Sequence, residues 1–272
     1  MPTGLPGTRT RPPALAGAFY PRDPGRLQRR VLDLLAEIIV PANIVPKALI
    51  APHAGYVYSG HVAAAAFATL RDRRASITRV VLIGPAHYVY VRGIAVPTVD
   101  ALVTPVGSVP VDIEALSTID ALQFVTRTDA PHAPEHSLEV ELPFLQTVLS
   151  SFKVVPLVVG DAHPQDVAHV VRRRWGGEET LIVVSSDLSR YHSYETARRL
   201  DLATATAIEH GHWASLGPNQ ACGCVAMAGL LVETERRGLK ARRLELCNSG
   251  DTASSRDQVI GYGAWLFAQA AL

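Results

Sequence analysis

Three continuous apolar runs constrain this chain more than anything else in it. They are Ala48-Leu-Ile-Ala51, Arg79-Val-Val-Leu-Ile-Gly84 and Thr180-Leu-Ile-Val-Val184. Each is short, rich in branched side chains, and followed at once by a polar or turn-forming cluster. Runs of that length and make-up read as strands buried on both faces. Between them lie stretches at helical spacing. Gly60 to Leu70 is alanine-rich; Ala162 to Trp175 ends at Gly176-Gly177; Tyr194 to His210 and Asn219 to Arg237 follow. Asp23 with Pro24 can open an early helix carrying Leu27, Val31, Leu34, Leu35 and Ile38. Strands alternating with helices predict one α/β domain with helices on both faces of a central sheet. Lys153 to Val159 predicts a further strand, and Ala241 to Cys247 and Gln258 to Phe267 two closing ones. Gly93–Val99 and Ala101–Val111, broken by prolines, predict a hairpin or edge structure. Helices are also expected over Val111–Leu122 and Leu138–Leu149, the second capped by Ser137 or a neighbour. The first ten residues read as a frayed segment, with the domain spanning 11–272.

Composition removes several function classes. The 272 residues carry 26 Lys and Arg against 25 Asp and Glu, a net charge of +1. Nothing here marks a nucleic-acid footprint. No apolar run approaches the ~20 residues of a membrane span, and the first ten residues lack the apolar core of a secretory signal. The three cysteines, Cys222, Cys224 and Cys247, are too few and too clustered for a disulfide framework. That favours a reducing compartment, hence the cytoplasm.

The chemistry-bearing residues sit where the strands stop. Pro52 ends the first run and His53 follows; the second ends in Gly84-Pro-Ala-His87; the third in Ser185-Ser-Asp187. In open α/β sheets ligands bind at the carboxyl ends of strands, so these residues can converge although far apart in sequence. Cys222 is expected at a helix start, where the dipole would lower its thiol pKa. Two imidazoles and one thiolate would bind a first-row transition metal and leave a position open for a substrate. His136 and Glu139 would lie one helical turn apart and could orient a ligand histidine. Asp187 could orient a histidine or cap a helix. Phe19, Tyr56 and Tyr58 could line a pocket or simply pack. A Ser-Asp-His hydrolase is disfavoured, because no Gly-x-Ser-x-Gly elbow is present.

Taken together and in order, these segments resemble the Memo family, known in prokaryotes as AmmeMemoRadiSam system protein B. The resemblance runs from Arg11-Pro-Pro-Ala-Leu-Ala-Gly-Ala-Phe-Tyr-Pro21 through Ala51-Pro-His-Ala-Gly-Tyr-Val-Tyr-Ser-Gly60 and Gly84-Pro-Ala-His87. It continues through Glu135-His-Ser-Leu-Glu139, Ser185-Ser-Asp-Leu-Ser189, Cys222-Gly223 and Asn248-Ser-Gly-Asp-Thr252. It implies a three-layer α/β/α fold around a mixed sheet, similar to class III extradiol dioxygenases. It also implies one iron or copper ion at His53, His87 and Cys222. Cys222 stands where those dioxygenases place a carboxylate, so fold likeness does not carry their activity over; a redox role is what the family suggests. Functional partners would be a radical-SAM protein and an AMMECR-type protein.

One position departs from the family pattern. A histidine is usual three residues after the aspartate; here it is Arg190, followed by Tyr191 and His192. His192 could replace that base. Arg190 stays protonated and could instead hold an anionic substrate group. The expectation is therefore a metal-dependent redox enzyme, with Asp187, His136 and His192 moving protons and Phe19, Tyr58 and Arg190 holding a small molecule. The alternative is a binding protein that captures a peptide or metabolite in the same cleft.

Overall fold

The structure, a computed structural model, describes residues 7–40, 45–253 and 255–269. In chain order the strands and helices begin with β1 (Thr10–Arg11), α1 (Pro24–Ala36), β2 (Ala48–Ala51), α2 (Tyr56–Phe67), β3 (Arg79–Pro85) and β4 (Ile94–Val96). Then come β5 (Ala101–Thr104), β6 (Gly107–Pro110), α3 (Ile113–Ser117), β7 (Val125–Arg127), α4 (Leu142–Val148) and β8 (Lys153–Val159). The last are α5 (Pro164–Arg173), β9 (Thr180–Ser185), β10 (Arg190–His192), α6 (Tyr194–Glu209), α7 (Cys224–Arg236), β11 (Lys240–Asn248) and β12 (Val259–Ala268).

A nine-stranded mixed sheet organises them in the order β10-β12-β2-β9-β3-β8-β4-β7, with β11 also pairing β12. Its centre, β2-β9-β3-β8, is parallel; β12 and β4 flank it antiparallel. β2 and β9 are buried along their whole length, as their continuous apolar composition requires. The connection from β2 to β3 runs one way across the sheet, and that from β8 to β9 runs the other. Right-handed crossovers therefore place α2 and α5 on opposite faces. α2, apolar all round, is buried between the sheet and α1 and α4; α5 packs against α7. This is the three-layer α/β/α architecture expected. Among the described residues, no helix is long and apolar enough to cross a membrane.

Local chemistry explains where the elements start. Asp23 accepts from the Arg26 amide at 2.8 Å, Pro24 occupies the first turn, and Leu27, Val31, Leu34 and Leu35 turn inward. The helix expected over Val111–Leu122 is cut to α3. The hydroxyls of Ser117 and Thr118 bond back to the carbonyls of Glu114 and Ala115 there, a local alternative to further helix. The helix expected from Leu138 begins only at Leu142, preceded by a 3-10 turn over Glu139–Glu141. Pro143 has no N–H and fits only the first turn of a helix, which sets that start. Ser137 caps nothing; its hydroxyl donates to the Pro85 carbonyl at 2.9 Å.

The proline-broken region also resolves differently on its two sides. β4 joins the main sheet, whereas β5 and β6 form a hairpin turned by Gly107 at φ 138°. β1 pairs parallel with β5 to complete a separate three-stranded sheet. Of the stretch expected to fray, residues 1–6 lie outside the described residues. Arg9 donates its amide to Asp100 at 2.8 Å, and Thr10 pairs with Ala101.

Candidate metal centre

β2, β9 and β3 are neighbours, so their carboxyl ends deliver His53, Asp187 and His87 to one place. The loop before α4 adds a residue to that group. One ring nitrogen from each of His53, His87 and His136 lies within 4.8 Å of the others. The His87 and His136 rings stack with centroids 4.7 Å apart, and His53 meets both edge-on at 5.2 and 5.3 Å. That loop can come this close because position 84 is glycine. A Cβ there would lie 2.6 Å from Ser137 Oγ.

Each ring is held from behind. His87 Nδ1 sits 2.9 Å from one oxygen of Glu135, whose other oxygen accepts the His87 amide at 2.6 Å. Glu135 also accepts the amides of His136 and Ser137, both at 3.0 Å. Burial would raise its pKa, but the His87 contacts and these amides win and hold the carboxyl at about 2. His87 thus donates from Nδ1, and its Nε2, buried and without a partner among the described residues, faces the cluster. His53 Nδ1 lies 2.7 Å from Ser185 Oγ, and its amide donates to Asp187 at 2.9 Å. Burial, and then His53 nearby, pushes His136 down to about 3; its Nδ1 is also buried without a hydrogen bond among the described residues, with a Glu135 oxygen 3.4 Å away. Burial, reinforced by His87, keeps His53 well below its ordinary range. His53 and His136 are therefore disposed to be neutral, the form that ligates metal.

Cys222 reaches this group through His53. Its Sγ lies 3.3 Å from His53 Nε2, 3.8 Å from Ser186 Oγ and 3.6 Å from the Asp187 carbonyl. It does not open a helix. α7 starts at Cys224, and Cys222 occupies the turn before it, its amide donating to the Asp187 carbonyl at 3.2 Å. The expected lowering of its pKa is reversed: burial, then Asp187, pushes the thiol up to about 12. A bound cation would have to displace that proton. Gly223 lets the turn sit on the end of β9, since a Cβ there would lie 2.8 Å from Ser186 Cβ. Cys224 is buried elsewhere in the core.

The other expected site residues divide. Asp187 is buried beside His53, and burial raises its pKa against the opposing charge of Arg190. It caps no helix. Arg190 reaches back to it, with Nη2 3.4 Å from Asp187 Oδ2, while its Nε is buried without a partner among the described residues. Phe19 packs edge-on against His136 at 4.9 Å. Tyr58 is exposed, and Tyr56 is buried and donates to the Val140 carbonyl at 2.8 Å. His192 lies on β10, which pairs with β12, and no described contact joins it to the imidazoles. The expected pairing of His136 with Glu139 fails. Glu139 turns away, accepting from Arg11, Tyr20 and the amides of Ala14 and Leu15. It ties the amino-terminal segment down and so presents Phe19. The orienting role falls to Glu135, the first residue of the Glu135-His-Ser-Leu-Glu139 segment. Tyr88, 5.6 Å from His136, was given no role, and Ser185, singled out at the end of the third run, proves to hold the His53 ring.

Comparison with known proteins gives the family. Residues 11–266 match the family model described as Memo-like protein. A MEMO1 family protein of Aquifex aeolicus is 35% identical over 270 residues, covering 95% of this chain and 99% of the relative. One from Archaeoglobus fulgidus is 34% identical, covering 94% and 99%. The crystal structure of uncharacterized protein JW3007 from Escherichia coli K12 superposes with a TM-score of 0.51 at 12% identity. It covers 80% of this chain and 98% of that one, a likeness of fold alone. Motifs in order, a full-length family match and relatives at this identity lead to one conclusion: the chain belongs to the Memo family.

Proposed function

We propose that the cluster binds one redox-active transition ion, iron or copper, and uses it on a small anionic molecule. His53 and His87 are its fixed ligands, with Cys222 as the soft donor and His136 closing the set. One observation carries the reading: a convergent imidazole group in which His87 Nε2 is buried, aimed inward and without a partner among the described residues. An orphaned buried nitrogen is costly unless something fills the site. The donor set fits a first-row transition metal, and the thiol argues for a softer or redox-cycled one. Such an ion supplies one-electron chemistry and a coordination position for substrate.

The protein's own residues do the rest. Glu135 fixes the His87 tautomer and makes that ring a stronger donor. Asp187, disposed toward protonation by burial, can give or take a proton beside His53. Arg190 offers a buried guanidinium N–H to an anionic group. Phe19 and Tyr58 supply aromatic wall. The family resemblance further supports action beside a radical-SAM protein and an AMMECR-type protein, which co-purification from a co-expressing strain tests. Three unpaired thiols support a reducing cytoplasm.

Elemental analysis of protein isolated without oxygen tests the centre. About one iron or copper per chain is expected. Zinc alone would remove the redox function, because zinc has no redox chemistry. No transition metal, and none taken up on reconstitution, would remove the site.

A further inference from the structure

A second buried carboxyl lies behind the cluster. Glu141 is fully buried, with one oxygen 2.9 Å from Ser185 Oγ and the other, Oε2, without a partner among the described residues. Ser185 Oγ is also 2.6 Å from the Ser137 carbonyl and 2.7 Å from His53 Nδ1. A hydroxyl has one proton and two lone pairs. A backbone carbonyl can only accept, and the Ser137 contact is the shortest of the three, so the proton points there. Both remaining contacts must then be donated to Ser185, one by an N–H of His53 and one by an O–H of Glu141.

We propose that Glu141 is held as a neutral carboxylic acid and that, through Ser185, it locks His53 as the Nδ1–H tautomer with Nε2 turned toward the cluster. Glu141 never touches the ion; it is a positioning residue. Two further observations agree. A carboxylate here would leave Oε2 as a buried anionic oxygen with no donor. Burial, and Asp187 nearby, also push the carboxyl well above its ordinary range despite the Ser185 contact. Glu135 is the contrast, with three backbone amides and an imidazole donating to it. The two fixed imidazoles therefore rest on opposite supports, an anion behind His87 and a neutral acid behind His53. His87 becomes the stronger donor, and one negative charge is kept out of a site that already holds the Glu135 carboxylate.

The consequence for metal binding rests on the proposed centre, but the protonation does not, so metal-free protein is examined first. At neutral pH, the infrared difference between wild type and Glu141→Gln should show loss of a neutral carboxylic acid carbonyl band. Nitrogen NMR of labelled histidine should show His53 protonated at Nδ1 and bare at Nε2. Cobalt(II) titration then reads the positioning. Ser185→Ala should weaken cobalt binding by roughly 10- to 100-fold, while Glu141→Gln, whose amide N–H donates to Ser185 in place of the acid, should bind close to wild type. Loss of a carboxylate band instead, or an Nε2–H tautomer at His53, overturns the proposal, as does a Glu141→Gln loss equal to that of Ser185→Ala. If wild type takes up no cobalt, the metal centre falls and the two spectra still decide Glu141.

Discussion

Replacing Glu135 by Gln should cost the metal-free protein stability in a pH-dependent way. The carboxylate accepts from the amides of His87, His136 and Ser137 and from the His87 ring. Together they hold it at about 2 against an ordinary value of 4.5. At about 1.4 kcal/mol per unit, that fall is worth about 3 kcal/mol. The folded pKa is depressed, so this stability is present above the unfolded value and is lost as pH falls through the folded one. Glu135→Gln cannot ionise, and its amide nitrogen faces at least one N–H donor. Urea unfolding of both proteins from pH 7 down should show a gap of about 3 kcal/mol at neutrality that closes between pH 4.5 and about 2. A gap of constant size across that interval would mean that shape rather than charge is what Glu135 contributes. No gap at all would refute its place as the anchor of the His87 loop.

Three other substitutions test separate parts of the account. Cys222→Ser should lower transition-metal affinity strongly and Cys224→Ser hardly at all, because only Cys222 touches His53; equal losses by direct titration would mean the pair binds as a unit. Arg190→His should weaken binding of small carboxylates and phosphate by about tenfold and add a titration near pH 6–7, since a charge-assisted bond is worth roughly 1.5–3 kcal/mol. Calorimetry that shows identical affinity and pH profile in both proteins would remove Arg190 from the site. Glu139→Ala leaves Arg11 and Tyr20 buried without their acceptor, so it should destabilise by roughly 3–5 kcal/mol. It should also raise protease sensitivity of the segment carrying Phe19; an unchanged digestion pattern would count against that tie.

The sequence by itself determined the parts that depend on period and on turn chemistry. Continuous branched runs such as Leu181–Val184 can only be satisfied inside a parallel sheet, so the α/β architecture was legible, and so was the delivery of His53, His87 and Asp187 to one edge. Side-chain direction was not. Glu135, His136, Glu139 and Glu141 share one short motif, and a regular helix would have set His136 beside Glu139. The turn before Pro143 is not regular helix, and it sends Glu135 to His87, Glu139 to Arg11 and Glu141 to Ser185. Nor could the chain alone set the charge on Cys222, where expulsion of water by the packed loop outweighs the helix end nearby. Periodicity is a local property that each segment carries with it. Which donor meets which acceptor, and how much water remains between them, is decided only when distant segments close on one another.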